Sequence, residues 1–394
     1  MSIADYVHEL PLIDHHAHFL IRGDVPNRAE RLLRVSSEAD SQYPIQDTAN
    51  RLAWAAFQAE AGRLDSQTGA AFAAGQTPEK ALKPMDAATY ARYNQQAFAR
   101  DNFQAMFIDT GFVPDDAILD LDETATITGL TIRPIFRIET QAEHWLREVG
   151  QDGFTPWLAA LTQEVAEARA HGFVGFKSIA AYRFGLKLMP VTQADALAAF
   201  TNWQAHYAAT GEYRLTNATL ISYILWQLAP ILIDTQMPLQ FHVGYGDADT
   251  DLYAGNPLLL RTFLQAFTAK GLKVVLLHCY PYQREAGYLA SVFANVYFDI
   301  SLADTLAPSS MPRIFEEALE LAPHSRFLFA SDASTYVEMY TVASRLFKNA
   351  LIQHLDALTD VPNVQKEAWA RMLCYENAEK VYGVKVNQSG AKRV

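Results

Sequence analysis

The chain has 394 residues, half of them hydrophobic and 19% charged, which suffices for a large buried core and excludes an intrinsically disordered protein. Its 32 basic and 44 acidic residues give a net charge of −12, which argues against nucleic acid or an anionic membrane as the main partner. Two cysteines cannot form a disulfide framework, and the N-terminus lacks the basic start and apolar run of a signal peptide. We therefore expect a cytoplasmic protein.

Short apolar segments alternate with helical patterns along the chain, as is typical of parallel βαβ units. Eight candidate strands follow one another: Pro11–His18, Phe103–Thr110, Ile132–Ile138, Phe173–Ile179, Leu239–Val243, Lys273–His278, Val296–Ile300 and Phe327–Ser331. Eight such units predict an α/β fold, the (β/α)8 TIM barrel, with the excess length in insertions.

Two segments are too long for simple crossovers. The first, about 22–100, follows the first strand; its composition and the helix start Thr77-Pro78 predict a helical lid at the C-terminal rim of the barrel. The second, about 186–236, carries two helical patterns, Ala194–Ala209 and Thr216–Leu232. We predict a single barrel domain over residues 1–394 with these two helical insertions.

A histidine pair ends the first candidate strand, in the order Asp14-His15-His16-Ala17-His18. Because residues two apart on a strand share a face, His16 and His18 project together while His15 faces the helices. Two imidazoles converging at a strand end are suited to holding one divalent metal. Taken alone, the pair is equally well explained as two structural histidines.

Three other strand ends carry residues of the same kind: His242, His278 and Asp332. A barrel places its active site at the C-terminal ends of its strands, and burying unpaired polar groups there is costly without a purpose. Strand alternation also turns Lys177 toward the barrel interior. Together these residues favour a metal site over a structural role.

The chain here resembles the amidohydrolase superfamily of metal-dependent hydrolases, in particular its amidohydrolase-2 branch and the amidohydrolase portion of FluG-like proteins. The resemblance rests on five blocks along the whole barrel: Ile13–His18, Gly175–Arg183, Phe241–Asp247, His278–Leu289 and Ser331–Ser334. It implies a distorted (β/α)8 barrel with metal ligands at His16, His18, His242, His278 and Asp332.

These residue types predict a divalent metal cofactor, zinc first, with one or two ions per chain. A metal held by imidazoles and a carboxylate lowers the pKa of bound water to about 7. Asp332 is the predicted catalytic base, which passes the proton on to the leaving group and also touches the metal. His278 either polarises the substrate carbonyl or binds a second metal.

Lys177 is compatible with several roles. An ammonium ion beside a divalent cation is repelled, so an inward lysine must be deprotonated, paired with an anion or modified. In binuclear members of the superfamily a fourth-strand lysine is carboxylated and bridges two metals, which places Lys177 among the predicted metal ligands. A substrate-binding ammonium and a structural ion pair are the alternatives.

Three residues are predicted to bind substrate. Arg183 and Arg284 each lie six residues beyond an inward-facing residue, in loops where a guanidinium could clamp a carboxylate. An ordinary ion pair explains each of them equally well. Tyr245 is a weaker candidate for the pocket lining.

The predicted function is a metal-dependent hydrolase that cleaves a C–N (amide-type) or C–O bond of a small molecule. The alternatives are a metal-dependent decarboxylase or other lyase on the same ligands, and a catalytically inert barrel. The predicted partners are a small-molecule substrate and a second copy in a homodimer, with no nucleic acid and no membrane.

Overall fold

The computed structural model describes residues 2–23, 25–40, 42–113 and 117–385. Its centre is a parallel sheet of seven strands in sequential order, each hydrogen-bonded to the next. The strands are β1 Leu12–Ala17, β2 Phe103–Asp109, β3 Thr131–Arg137, β4 Gly175–Ser178, β5 Leu239–His242, β6 Val274–Leu277 and β7 Val296–Phe298. Sequential parallel strands joined by helices are the arrangement of the predicted barrel, and the α/β fold is confirmed.

The eighth barrel segment, residues 327–331, is not the regular strand that its apolar pattern predicts. It bonds to both neighbours through single contacts, from Leu328 N to Phe298 O at 3.0 Å and from His15 N to Phe329 O at 3.3 Å. The backbone then turns at Asp332, whose φ is +51°. The sheet therefore closes between β7 and β1 through an irregular segment, whose end is shaped to present Asp332.

Twenty α-helices surround the sheet in the described residues. They are α1 Ile3–Glu9, α2 Arg28–Val35, α3 Ile45–Ala49, α4 Leu52–Leu64, α5 Ser66–Ala73, α6 Pro78–Ala81, α7 Ala87–Arg100, α8 Leu121–Thr128, α9 Ile138–Val149, α10 Phe154–Glu167, α11 Ala180–Arg183, α12 Gln193–Thr210, α13 Ala218–Thr235, α14 Arg261–Phe267, α15 Gln283–Val292, α16 Ala303–Leu306, α17 Met311–Leu319, α18 Val337–Ala357, α19 Asn363–Arg371 and α20 Asn377–Tyr382. Every residue of β1, β4, β5, β6 and β7 is buried, as expected for a parallel sheet covered on both faces.

Helices α2 to α7 lie between β1 and β2. The segment is fastened to α18 by buried charges, because Arg28 pairs with Glu338 and Glu60 accepts a hydrogen bond from Arg345 at 2.9 Å. The predicted helix start at Thr77 is present, although α6 runs for only four residues. These fastenings hold the loop after β1, residues 35–40, against the open end of the barrel.

One helix, α13, is long and apolar enough to span a membrane by length and composition. Half of it is buried inside the protein. Its side chains Leu225, Leu228 and Leu232 are completely buried, which is the packing of a core helix.

Candidate active site

Three histidines converge on one carboxylate at the C-terminal ends of the strands. The Nε2 atoms of His16 and His18 both lie 3.2 Å from Asp332 Oδ1, and His278 Nδ1 lies 3.4 Å from Asp332 Oδ2. His16 and His18 come from the end of β1, His278 follows β6, and Asp332 follows the eighth barrel segment, residues 327–331. The barrel thus joins residues that lie more than 250 positions apart in the sequence.

His242, the last residue of β5, completes the group. Its ring centroid lies 4.5 Å from that of His278, and its Nε2 atom is buried without a hydrogen-bond partner in the described residues. A buried imidazole nitrogen without a partner costs free energy unless something occupies its lone pair or takes its proton. The four histidines and Asp332, expected from strand ends alone, are therefore neighbours in space.

The hydrogen bonds behind His16 determine which of its nitrogens carries the proton. His16 Nδ1 lies 2.9 Å from Gln240 Oε1, an oxygen that only accepts, so Nδ1 carries the proton and Nε2 presents a lone pair. That lone pair faces Asp332 Oδ1 at 3.2 Å, an acceptor facing an acceptor. Ligands held about 2.0–2.1 Å from a tetrahedral zinc ion are separated by about 3.3–3.4 Å. The spacing of these two atoms therefore fits a cation between them.

A chain of hydrogen bonds continues from Gln240 beneath the site. Gln240 Nε2 donates to the hydroxyl of Tyr382 at 2.8 Å, and that hydroxyl lies 2.9 Å from His15 Nδ1, to which it donates. His15 Nε2 then carries its proton and lies 3.0 Å from Asp299 Oδ2, a close polar contact outside hydrogen-bond geometry. Asp299 in turn accepts from the backbone N–H of His278 at 2.8 Å. Two of the converging histidines, His16 and His278, are thus tied to one buried network.

Strict alternation predicts that His15 faces the helices, but in the structure it does not. It is fully buried, and its ring stacks on Tyr382 with centroids 5.6 Å apart. The pairing of β1 with β2 shifts register between Asp14 and Ala17, and this irregularity breaks the two-residue period. His15 and Gln240 were both missed by sequence reasoning as supports of the site.

Ser301 sets the proton position of His278. The Ser301 hydroxyl donates to Asp299 Oδ1 at 2.6 Å, so it accepts from His278 Nδ1 at 2.8 Å. His278 Nε2 is therefore left with its lone pair. This arrangement suits a metal ligand better than a neutral donor to a substrate carbonyl.

The buried imidazoles of His16, His242 and His278 are neutral, and the carboxylate of Asp332 is ionised. Burial lowers the pKa of His16 to about 4 and those of His242 and His278 well below the ordinary value. Burial alone would raise the pKa of Asp332, but the N–H of His278 beside its carboxylate holds that pKa well below the usual range. Neutral imidazoles with an ionised carboxylate form the donor set that divalent zinc prefers.

Lys177 lies inside the barrel as its strand position predicts. Only 2% of it is exposed, and its Nζ atom is 3.2 Å from His16 Nε2. Burial lowers its pKa to about 8, against the opposing effect of the Asp109 and Asp332 carboxylates. At pH 7 about one-tenth of Lys177 is therefore a neutral amine, far more than for an ordinary lysine.

Asp109 and Arg137, which sequence reasoning missed, also reach the site. Asp109 ends β2, and its carboxylate oxygen lies within 4.8 Å of ligand atoms of His16 and His18. Arg137, which ends β3, donates from Nε to both Asp109 oxygens at 3.1 and 3.0 Å. Their positions at strand ends carry the same signal that identified the histidines.

A cavity of about 750 Å³ opens onto the cluster. Its floor includes His18, Lys177, His242, His278 and Asp332. Its walls come from β-strand loops and from the segment after β1, including Glu38, Phe112, Arg137, Tyr182, Arg214 and Asp247. The volume suits a small molecule in contact with the histidines.

The three predicted substrate-binding residues are placed differently. Arg183 lines the cavity, with its guanidinium paired to Glu143 at 3.0 Å. Arg284 is 58% exposed, pairs with Glu320 at 3.0 Å and does not line the cavity, so that prediction is corrected. Tyr245 is also absent from the cavity wall, and Tyr182 takes that position with its ring 4.1 Å from that of His242. A six-residue offset along a loop does not determine its direction, which explains the error.

Comparison with known proteins agrees with this geometry. The amidohydrolase family model matches residues 13–384. Protein fluG of Emericella nidulans is 33% identical over 187 residues, which is 45% of this chain, and the match spans only 21% of that longer protein.

Solved structures show the same architecture. A protein of Lactobacillus casei ATCC 334, provisionally assigned as a metal-dependent hydrolase, is 53% identical with a TM-score of 0.90, over 97% of both chains. Uronate isomerase of Thermotoga maritima is 14% identical with a TM-score of 0.65, over 96% of both chains. Glucuronate isomerase of Caulobacter crescentus is 17% identical with a TM-score of 0.62, over 99% of this chain and 95% of its own. The two isomerases share the fold, and the family match over almost the whole barrel shows that this chain belongs to the amidohydrolase family of metal-dependent hydrolases.

Proposed function

We propose that the protein is a metal-dependent hydrolase that cleaves a C–N (amide-type) or C–O bond of a small molecule. The observation that carries the proposal is the convergence of His16, His18 and His278 on the ionised Asp332 at the floor of a cavity of about 750 Å³. Ligand atoms of His16, His278 and Asp332 lie within 4.8 Å of one another, which is an arrangement able to hold a cation, and the cavity brings a small molecule to it.

The proposed cofactor is zinc, one or two ions per chain, held by His16, His18, His242, His278 and Asp332. Bound there, zinc would act as a Lewis acid and lower the pKa of water to about 7. Asp332 accepts the proton of the attacking water and returns it to the leaving group. The pKa of Asp332 lies well below its usual range beside His278, so the carboxylate is ionised and able to accept a proton.

Lys177 is proposed to react with carbon dioxide on Nζ, with release of a proton, and the resulting carbamate would join the residues that hold the metal. An amine reacts with carbon dioxide only when it is neutral, and the lowered pKa of about 8 supplies that form. Carboxylation also replaces a cation 3.2 Å from His16 Nε2 with an anion, which removes the repulsion toward a metal. One metal per chain and an unmodified lysine mass would reject this part of the proposal and leave hydrolysis at a mononuclear site.

Decarboxylation on the same ligands is the alternative reaction. It requires a cation to hold the substrate carboxylate, and the guanidinium groups of Arg137 and Arg183 are each already paired with a buried acid. The geometry therefore favours hydrolysis. An aromatic or aliphatic acid panel assayed for carbon dioxide release tests the alternative directly.

The test of the main proposal combines metal analysis with a panel of amides, lactones and esters. We expect one or two zinc ions per chain and hydrolysis of at least one compound. Asp332→Asn should lower turnover by about 10²–10⁴-fold. Asp356→Asn, at an exposed position of α18, is the matched control and should retain full turnover. Purified protein that binds no divalent metal, or an Asp332→Asn variant with full turnover, would overturn the proposal.

We further propose that the protein acts in the cytoplasm on a small molecule and forms a homodimer. Its two cysteines, Cys279 and Cys374, are both free and buried, which is compatible with a reducing compartment. Sedimentation of the purified chain would test the dimer, and fractionation of its source cells would test the location.

A further inference from the structure

One side chain of the cavity wall has no partner. Glu38 follows α2 in the segment between β1 and β2 and lines the same cavity as His18, His242, His278 and Asp332. Among the described residues its carboxyl group makes no hydrogen bond and no ion pair, although it is partly buried. A carboxyl group held out of bulk water without a partner costs free energy, so its position indicates a ligand that supplies the missing contact.

The cations of the wall are already neutralised. Arg137 pairs with Asp109, Arg183 with Glu143 at 3.0 Å, Arg214 with Asp249 at 2.9 Å and Arg34 with Glu30 at 3.0 Å. Each of these guanidinium groups therefore faces the cavity with its charge balanced. None of them is matched with Glu38.

A second acid adds to the negative potential. Asp247 also lines the cavity, and its side chain accepts only the backbone N–H of Asp249 at 2.9 Å in the described structure. Burial, with the carboxylates of Asp332 and Asp247, raises the pKa of Glu38 to about 8. A positive group of a ligand in the cavity would favour the ionised form of both carboxyl groups, because an opposite charge nearby stabilises that form.

The floor of the cavity is the end at which the reacting bond of a substrate lies. His242, one of the residues proposed to hold the metal, is only 2% exposed and lines this floor. Glu38 belongs to neither group of side chains whose ligand atoms lie within 4.8 Å of one another, His16 with His278 and Asp332 or His16 with His18 and Asp109. A substrate whose scissile bond lies at these groups therefore meets Glu38 with another part of the molecule.

We propose that Glu38, assisted by Asp247, is the specificity determinant of the cavity and selects substrates that carry an ammonium or guanidinium group away from the scissile bond. This inference rests on the proposed function for the orientation of the substrate. It identifies the substrate class as cationic amides or esters and places the selecting residue in the insertion after β1. Electrostatic recognition of this kind discriminates strongly against the opposite charge.

The test uses binding rather than turnover. Three straight-chain hydroxamates of equal length, ending in an ammonium, a methyl group or a carboxylate, are titrated calorimetrically into the zinc-loaded full chain. The hydroxamate group binds the metal in all three compounds. Differences in affinity therefore measure the contact of the other end of each compound with the cavity wall. We expect the ammonium compound to bind about tenfold or more tightly than the carboxylate compound.

Glu38→Gln should weaken binding of the ammonium compound about tenfold and change the affinity for the methyl compound by less than about twofold. Glu79→Gln, an exposed acid in the same insertion, is the matched control and should change neither. Metal content and thermal unfolding of each variant verify that the fold and the cofactor are retained.

The outcomes separate this inference from the hydrolase proposal. Equal affinity for the ammonium and carboxylate compounds overturns the inference, as does a preference that survives in Glu38→Gln or a failure of all three to bind. A preference that depends on Glu38, with no hydrolysis of any amide, lactone or ester, supports the inference and rejects the hydrolase proposal instead.

Discussion

Replacing Gln240 should weaken metal binding without removing any residue that contacts the metal. In Gln240→Leu, His16 Nδ1 loses the acceptor 2.9 Å away, and the Tyr382 hydroxyl and the His15 carbonyl lose donors at 2.8 and 3.0 Å. With nothing to hold the proton on Nδ1, His16 can shift it to Nε2, the atom that faces Asp332 and Lys177.

Two magnitudes follow from these contacts. Loss of a partner that orients a ligating histidine costs about 10- to 100-fold in metal affinity. Leaving buried polar groups unsatisfied costs about 1–3 kcal/mol each. The Tyr382 hydroxyl keeps its bond to His15, so the His16 N–H and the His15 carbonyl are the two groups affected, and we expect the free energy of unfolding to fall by about 2–6 kcal/mol. The two effects are separable, since the first is measured on the folded protein.

The assay is zinc competition against a chromogenic chelator, together with urea unfolding of the metal-free protein. Gln240→Glu is the informative companion, because it keeps an acceptor for His16 Nδ1 and should retain metal affinity within a few-fold. Gln365→Leu, an exposed position of α19, controls for the substitution itself. Zinc affinity of Gln240→Leu within twofold of the original protein would refute the role assigned to this hydrogen bond.

Three further outcomes are expected. Arg284→Ala should leave turnover unchanged within about twofold and stability within about 0.5 kcal/mol, because an exposed ion pair contributes little; a large loss of turnover in steady-state assays would return this residue to the site. His324 stacks on Trp369 at 4.0 Å, and burial, with the nearby His354, lowers its pKa to about 4. The unfolded chain therefore binds more protons than the folded one between about pH 6.5 and pH 4. The free energy of unfolding should consequently fall as the pH falls through that window, and the fall should be smaller in His324→Phe. Urea unfolding at several pH values measures both. Removal of the metal with a chelator should lower the melting temperature, and zinc at about 100 times its dissociation constant should restore about 2.7 kcal/mol; a melting temperature indifferent to zinc would contradict the proposed cofactor.

The order of residues along the chain was enough to anticipate the barrel and the group at its floor. Apolar strands that end in His242 or His278 are conspicuous, because an apolar run rarely ends in a buried polar residue without a use for it. The inward direction of Lys177 followed from the two-residue period of a regular strand. These inferences needed only local geometry and the rule that a barrel carries its site at strand ends.

Where the backbone departs from regularity, the same reasoning fails. The register shift in β1 turns His15 inward, and the positive φ at Asp332 replaces the end of the predicted eighth strand. The direction of a loop cannot be predicted from the sequence either. For this reason Arg284 was predicted to bind substrate, although it lies at the surface.

Periodicity and the residues at strand ends are local properties of the chain, so the order of residues was enough to predict the fold class and five of the converging groups. Which nitrogen of each imidazole carries the proton depends on folding, because the partners of His16 and His278 are Gln240 and Ser301, which lie on other segments. Folding also determines which charged groups of the cavity pair with one another and which, as at Glu38, have no partner in the described structure. Pairing depends on distances across the barrel, and no local pattern encodes a distance between segments that meet only after folding.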